Sequence, residues 1–239
     1  MQELERIYLA LGGKFITPLD EIKTKLQNVK AIIFDWDGVF NDGSKAVTKD
    51  GSASSNFSEV DSMGTNLLRF SCYLQKKEMP VTAIISGEKN ETAFYFCKRE
   101  CFHYSFFKTA TNKLDSLKYI CEKENIKPEQ VAYFFDDVLD LGIAEVCGLR
   151  ILVNQKYNPL FADYCVKNKM VDYITAADGG NHAVRESTEL LIALNGNYDT
   201  VLTERKNASE NYKSYLEGRR AIATKYFTFK ENKIEAVEM

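Results

Sequence analysis

With 239 residues, 45% apolar and 27% charged, the chain has the make-up of a globular protein able to bury a core of its own. A net charge of −3 leaves no basic footprint for nucleic acid or an anionic membrane surface. No apolar run approaches the ~20 residues of a membrane span, and the acidic start MQELER lacks a secretory pattern, so a cytoplasmic location is expected.

In chain order, residues 1–28 read as a helical extension, with one helix in ELERIYLALGG and a second amphipathic piece in LDEIKTKLQNV. The main domain is expected over 29–195. Its strands are KAIIFD (30–35), VTAIIS (81–86), YSFFK (104–108), QVAYFFD (130–136) and LRILV (149–153). Helical spacing of apolar residues fills the gaps: MGTNLLRFSCYLQKK, NETAFYFCKRE, KLDSLKYICEKE and VLDLGIAEVC. This alternation predicts an α/β fold with a doubly wound, mainly parallel, Rossmann-like sheet. One segment interrupts it. Lys49-Asp50-Gly51 is a turn signal between two short runs and predicts a projecting β-hairpin at about 44–57. AVRESTELLIALNG predicts a helix, and residues 196–239 are expected to form a polar, charge-mixed helix and a short tail. The six cysteines are scattered without a CxxC pair, the pattern of small core residues rather than of a zinc site. Only His103 and His182 are available for histidine chemistry.

Carboxylates gather at two strand ends. Asp35 and Asp37 close the first strand; Asp136 and Asp137 close YFFDD, with Asp140 one turn on. Either pair alone reads equally well as a helix cap. Two pairs at parallel strand ends instead converge on one sheet edge, and a cage of hard oxygens suits Mg²⁺ better than zinc. Ser86 and Gly87 end the strand VTAIIS, where a hydroxyl and backbone N–H groups suit an anion. Lys113 heads the helix KLDSL and brings an ammonium to the same edge.

DWDGVFNDG, ISG, Lys113 and DDVLD together resemble the four motifs of the haloacid dehalogenase (HAD) superfamily of phosphatases. DGVFNDG with its hairpin, and DYITAADGGNHAVRE, resemble the narrower group of 3-deoxy-manno-octulosonate (KDO) 8-phosphate phosphatases. The resemblance covers about 29–195. It implies Asp35 as the nucleophile that forms an aspartyl-phosphate. Asp37 is then the general acid and later the base, its backbone carbonyl also a metal ligand. Asp136 is the third Mg²⁺ ligand, supported by Asp137 or Asp140, and Ser86, Gly87 and Lys113 hold the phosphoryl oxygens. It further implies a capless enzyme, because the gaps between the motifs hold only the hairpin and single strand–helix units. Capless relatives of this kind assemble as homotetramers through the hairpin, with a neighbouring subunit helping to close each site. The substrate implied is a small sugar phosphate whose product feeds a surface polysaccharide pathway such as lipopolysaccharide.

Three positions depart from the group pattern. Val60-Asp61-Ser62 stands where the group has RDG, and Glu88 stands where it has Arg. Both resemble the branch acting on nine-carbon acids, 2-keto-3-deoxy-nononate (KDN) or N-acylneuraminate (sialic acid) 9-phosphate, and make Asp61 and Glu88 substrate-binding candidates. Glu88 is also suited to complement a helix dipole. Phe135 replaces the Gly before the acid pair; its ring either crowds the metal site or packs into the core. Arg185, in GGNHAVRE, is a candidate for the substrate carboxylate, with pairing to a nearby acid as the alternative. Trp36, between the two catalytic candidates, is expected to point away from the metal. Other readings are a non-catalytic HAD-fold binding or scaffold subunit and a phosphomutase; the latter needs a closing cap for which the chain has no room.

Overall fold

Residues 1–231 and 233–238 are described by a computed structural model. The chain runs α1 (Gln2–Leu11), β1 (Lys14–Phe15), α2 (Leu19–Gln27), β2 (Ala31–Phe34), β3 (Ala46–Val47), β4 (Ala53–Ser54), α3 (Glu59–Lys76), β5 (Val81–Ile85), α4 (Glu91–Arg99), β6 (Tyr104–Phe107), α5 (Lys113–Glu124) and β7 (Val131–Phe135). It continues through a 3-10 turn (Val138–Asp140), α6 (Leu141–Ala144), β8 (Leu149–Asn154), α7 (Pro159–Lys167), β9 (Tyr173–Asp178), α8 (Ala183–Leu194), α9 (Tyr198–Lys206), α10 (Glu210–Arg220), β10 (Lys225–Lys230) and β11 (Lys233–Val237). Among the described residues no helix is long and apolar enough to cross a membrane.

The main sheet has the order β1-β9-β8-β7-β2-β5-β6-β10-β11 and is parallel from β9 to β10. β2 and β7 are buried at every position. Such continuous apolar runs fit a sheet covered on both faces. Alternate residues serve opposite sides: Ile32 and Phe34 join the core under α3, α4 and α8, while Ala31 and Ile33 join the core under α5, α6 and α7. The chain passes from β2 out to β5 and β6 and then returns to β7 on the other side of β2. β2 and β7 therefore flank the point where strand order reverses, the place where open α/β sheets bind ligands beyond their carboxyl ends.

The hairpin forms as β3 and β4, in the register Ala46↔Ser54 and Val47↔Ala53, and lies outside the main sheet. Trp36 is fully buried. It stacks on Phe40 at 5.1 Å and its Nε1–H donates to Ser55 Oγ at 3.0 Å. Phe135 is also fully buried, parallel to the Tyr133 ring at 5.8 Å, which resolves its two readings in favour of core packing. All six cysteines are free; five are buried.

The two termini differ from their sequence reading. Lys14 and Phe15 add an antiparallel edge strand against β9 inside the expected helical extension. The expected long C-terminal helix is two helices: Ala208 takes φ 45°, and Ser209 caps α10 by accepting the Tyr212 N–H. In place of a short tail stand β10 and β11, and β10 extends the sheet in parallel beside β6. The ring of Phe227 buries against Phe106 at 5.0 Å, so the alternating pattern KYFTFK is a genuine strand signal. DYITAAD likewise contains β9.

Candidate active site

Three strand ends and one helix start meet over β2 and β7. Asp35 follows β2 directly and is tied to the neighbouring strand by its N–H to Phe134 O at 2.9 Å. Asp136 follows β7, and Ser86 follows β5 with its N–H on Phe106 O at 2.9 Å. Lys113 opens α5. Its buried ammonium lies 2.7 Å from Asp35 Oδ1 and 2.6 Å from Asp140 Oδ1. Tyr133 also donates its O–H to Asp140 Oδ1, so this oxygen anchors the lysine from behind.

Asp35, Asp136 and Asp140 each bring a carboxylate oxygen within 4.8 Å of the others. Burial, with the neighbouring carboxylates adding to it, pushes the Asp35 and Asp136 carboxyl groups well above the usual range, against the opposing pull of Lys113. Burial works against the Lys113 ammonium, but Asp35 and Asp140 more than offset it and raise its pKa. Such repulsion is what a bound cation relieves. Asp136 Oδ1 is buried without a hydrogen-bond partner, as is Ser86 Oγ. An unpaired buried acceptor costs roughly 1–3 kcal/mol, so both atoms are suited to a ligand. Gly38, at φ 81°, keeps the space open: a Cβ there would overlap the Asp136 carboxylate. The donor set therefore fits a hard divalent cation. Asp140, already bonded to Lys113 and Tyr133, is better placed to hold Lys113 than to coordinate. Asp137 is exposed and caps the 3-10 turn, accepting the Val138 N–H at 2.7 Å.

Asp37 lies at the mouth, partly exposed. Its Oδ2 is 3.2 Å from Lys45 Nζ, and its Oδ1 is 3.4 Å from both Asn41 Nδ2 and Asn90 Nδ2. A cavity of about 240 Å³ is lined by Asp35, Asp37, Gly87, Glu88, Lys113 and Asp136 among others. Tyr157 is shared with an adjoining groove of about 630 Å³ bearing Asn56, Lys156, Asp178 and Asn181.

Asp61 and Arg185 do not join this cavity. Asp61 is fully buried in the first turn of α3 and accepts the Arg185 backbone N–H at 2.8 Å, so it caps α8 from another element. Burial lifts its carboxyl to about 6. The Arg185 guanidinium pairs with Glu189 at 2.5 Å beside Tyr8. The pairing alternative thus describes Arg185, because an acid one helical turn away is nearer than the cavity.

Several residues escaped sequence reasoning. Gln155 Nε2 donates to Gly38 O at 2.7 Å and to Asp136 Oδ2 at 3.2 Å, bracing the glycine loop against the acid. Its position just past β8 was the available signal. Lys45, Asn90 and Tyr133 carry no motif; only the fold brings them to the site.

No family model matches the chain. The chain is 31% identical over 178 residues to the 3-deoxy-D-manno-octulosonate 8-phosphate phosphatase KdsC of Salmonella typhi, covering 74% of this chain and 87% of that protein. It is 27% identical to the KdsC of Haemophilus influenzae, covering 73% and 89%. Among solved structures, the 3-deoxy-D-manno-octulosonate 8-phosphate phosphatase of Moraxella catarrhalis, in complex with magnesium, phosphate and KDO, superposes with a TM-score of 0.64 at 26% identity, covering 77% of this chain and 97% of that one.

Proposed function

The chain belongs to the 3-deoxy-D-manno-octulosonate 8-phosphate phosphatase family of phosphoric monoester hydrolases, and from that premise we propose that it is an Mg²⁺-dependent phosphatase of a 2-keto-3-deoxy sugar acid phosphate, working through an aspartyl-phosphate. The observation that carries the reading is the meeting of Asp35, Asp136 and Lys113 at the strand-order reversal, beside the end of β5 where Ser86 carries an unpartnered hydroxyl.

Asp35 attacks phosphorus as the ester P–O bond breaks, and Asp37 gives its proton to the leaving sugar oxygen. Water then attacks the aspartyl-phosphate, Asp37 takes the water proton, and Asp35 is restored. Lys113 and Ser86, with the Gly87 N–H, hold the equatorial oxygens, where charge accumulates. Asp35, Asp136 and the Asp37 carbonyl would hold Mg²⁺, which supplies positive charge at the transferring group. The small cavity suits phosphate and cation, and the adjoining groove past Tyr157 suits the sugar.

Glu88, exposed on the cavity wall, favours a second reading of the substrate, a nine-carbon KDN or sialic acid 9-phosphate, because a carboxylate accepts from sugar hydroxyls where Arg would seek an anion. The enzyme is further proposed to be capless and homotetrameric. Val47, 67% exposed on the hairpin, supports self-association through that element. Mg²⁺-dependent phosphate release measured side by side on KDO 8-phosphate, KDN 9-phosphate and N-acetylneuraminate 9-phosphate tests the proposal. Turnover of KDO 8-phosphate, abolished in Asp35→Asn, is expected. Preference for a nine-carbon ester selects the second reading, and turnover of none of the three, or near-normal release by Asp35→Asn, refutes the proposal.

A further inference from the structure

Asp37 sits in the loop between β2 and the hairpin, outside any helix or strand, so its side-chain direction depends on what grips it. Both ends of the hairpin do so. Before β3, Lys45 Nζ reaches Asp37 Oδ2 at 3.2 Å. After β4, the buried Ser55 Oγ accepts from Trp36 Nε1 and from Asn90 Nδ2, each at 3.0 Å, and Asn90 Nδ2 turns toward Asp37 Oδ1 at 3.4 Å. The 3.4 Å amide contacts are long and weak; the ion pair is the strong one, since charge-assisted contacts are roughly twice as strong as neutral ones.

We propose that Lys45 is a positioning residue for the second half of the reaction, holding the Asp37 carboxylate in the direction from which it takes the proton of the attacking water. This rests on the phosphatase reading above. In that step the water oxygen bonds to phosphorus, the bond from phosphorus to the Asp35 oxygen breaks, and the water proton passes to Asp37. An ammonium 3.2 Å from Oδ2 fixes the direction of the carboxylate more firmly than the long amide contacts to Oδ1 can. The first half needs no such hold on Asp37 when the leaving group departs without a proton. Among the described residues Lys45 pairs with Asp37 and with no other acid, so its role passes through Asp37.

The test uses 4-nitrophenyl phosphate, which carries no carboxylate and whose leaving group departs unprotonated. In Lys45→Met, kcat is expected to fall about 10–100-fold, part of the full worth of an acid–base group. KM falls with it, so kcat/KM stays within about threefold of wild type by the same argument. A pre-steady-state burst of nitrophenol and an acid-stable phosphoenzyme accumulate, and Lys45→Arg restores turnover. A parallel fall of kcat/KM and kcat without a burst overturns the inference, because it means a phosphate contact or a structural defect. Unchanged kinetics overturn it too. Wild type that releases no phosphate with Mg²⁺ present fails the underlying reading instead, so the two failures are distinct.

Discussion

Replacing Lys113 by Met keeps the length of the side chain and removes its charge from between two buried carboxylates. At 2.7 and 2.6 Å, each ion pair is worth roughly 6 kcal/mol at an effective dielectric of about 20, before the desolvation of the ammonium is subtracted. Breaking a buried pair of this kind nets about 3–5 kcal/mol of lost stability, because Asp35 and Asp140 are left buried without a counter-charge. Turnover should fall further than stability alone explains, by about 10²–10³ in kcat, the loss typical of removing one preorganised donor at a site of developing charge. Denaturant unfolding and Mg²⁺-dependent phosphate release on KDO 8-phosphate measure the two effects. The double variant Lys113→Met/Asp140→Asn separates them. Its second substitution keeps an acceptor for the Tyr133 hydroxyl but removes one buried charge, so on the order of 2 kcal/mol of stability returns while activity does not. A folded Lys113→Met enzyme turning over within about tenfold of wild type would refute the assignment of Lys113, and recovery of activity in the double variant would refute its separation from the structural role.

Three further outcomes are expected. Gly38→Ala should weaken Mg²⁺ binding at least about tenfold and cost about 1–2 kcal/mol, since the left-handed φ is strained for alanine and its Cβ meets Asp136; calorimetric titration at wild-type affinity would contradict this. Mg²⁺ must displace protons from the raised Asp35 and Asp136 carboxyls, so its affinity should rise with pH from mildly acid to mildly alkaline conditions with proton release, visible as a buffer-dependent binding enthalpy. His103 accepts the Thr82 N–H at Nδ1, and burial, aided by Arg69 and Lys225, lowers its pKa from 6.5 to about 4. Between those values the unfolded chain binds the extra proton, so stability falls as pH drops through this window, by up to about 3 kcal/mol. His103→Gln should flatten that loss in unfolding curves at neutral and acid pH, and an equal slope in both proteins would count against it.

The C-terminal segment shows the limit of local signals. KYFTFK alternates as a strand does, but a six-residue run among charged neighbours does not say what it pairs with; the edge of β6 on one side and β11 on the other give it its partners. Ala208 breaks the preceding helix through a conformation that no local residue preference announces. Asp61 and Arg185 hold motif positions, yet helix α3 packs against α8 and turns the acid into a cap, while Glu189 takes the guanidinium.

Continuous apolar runs and 3.6-residue spacing are local signals, so the alternation of strands and helices, and with it the parallel sheet, is legible along the chain. So is the placing of carboxylates at strand ends. What those carboxylates face is not. The Lys113 bridge from Asp35 to Asp140, the space that Gly38 leaves for Asp136, and the grip of Lys45 and Asn90 on Asp37 join residues from separate stretches of the chain. Which side chains meet across such separations is set by strand order and register, and neither is written in any one segment.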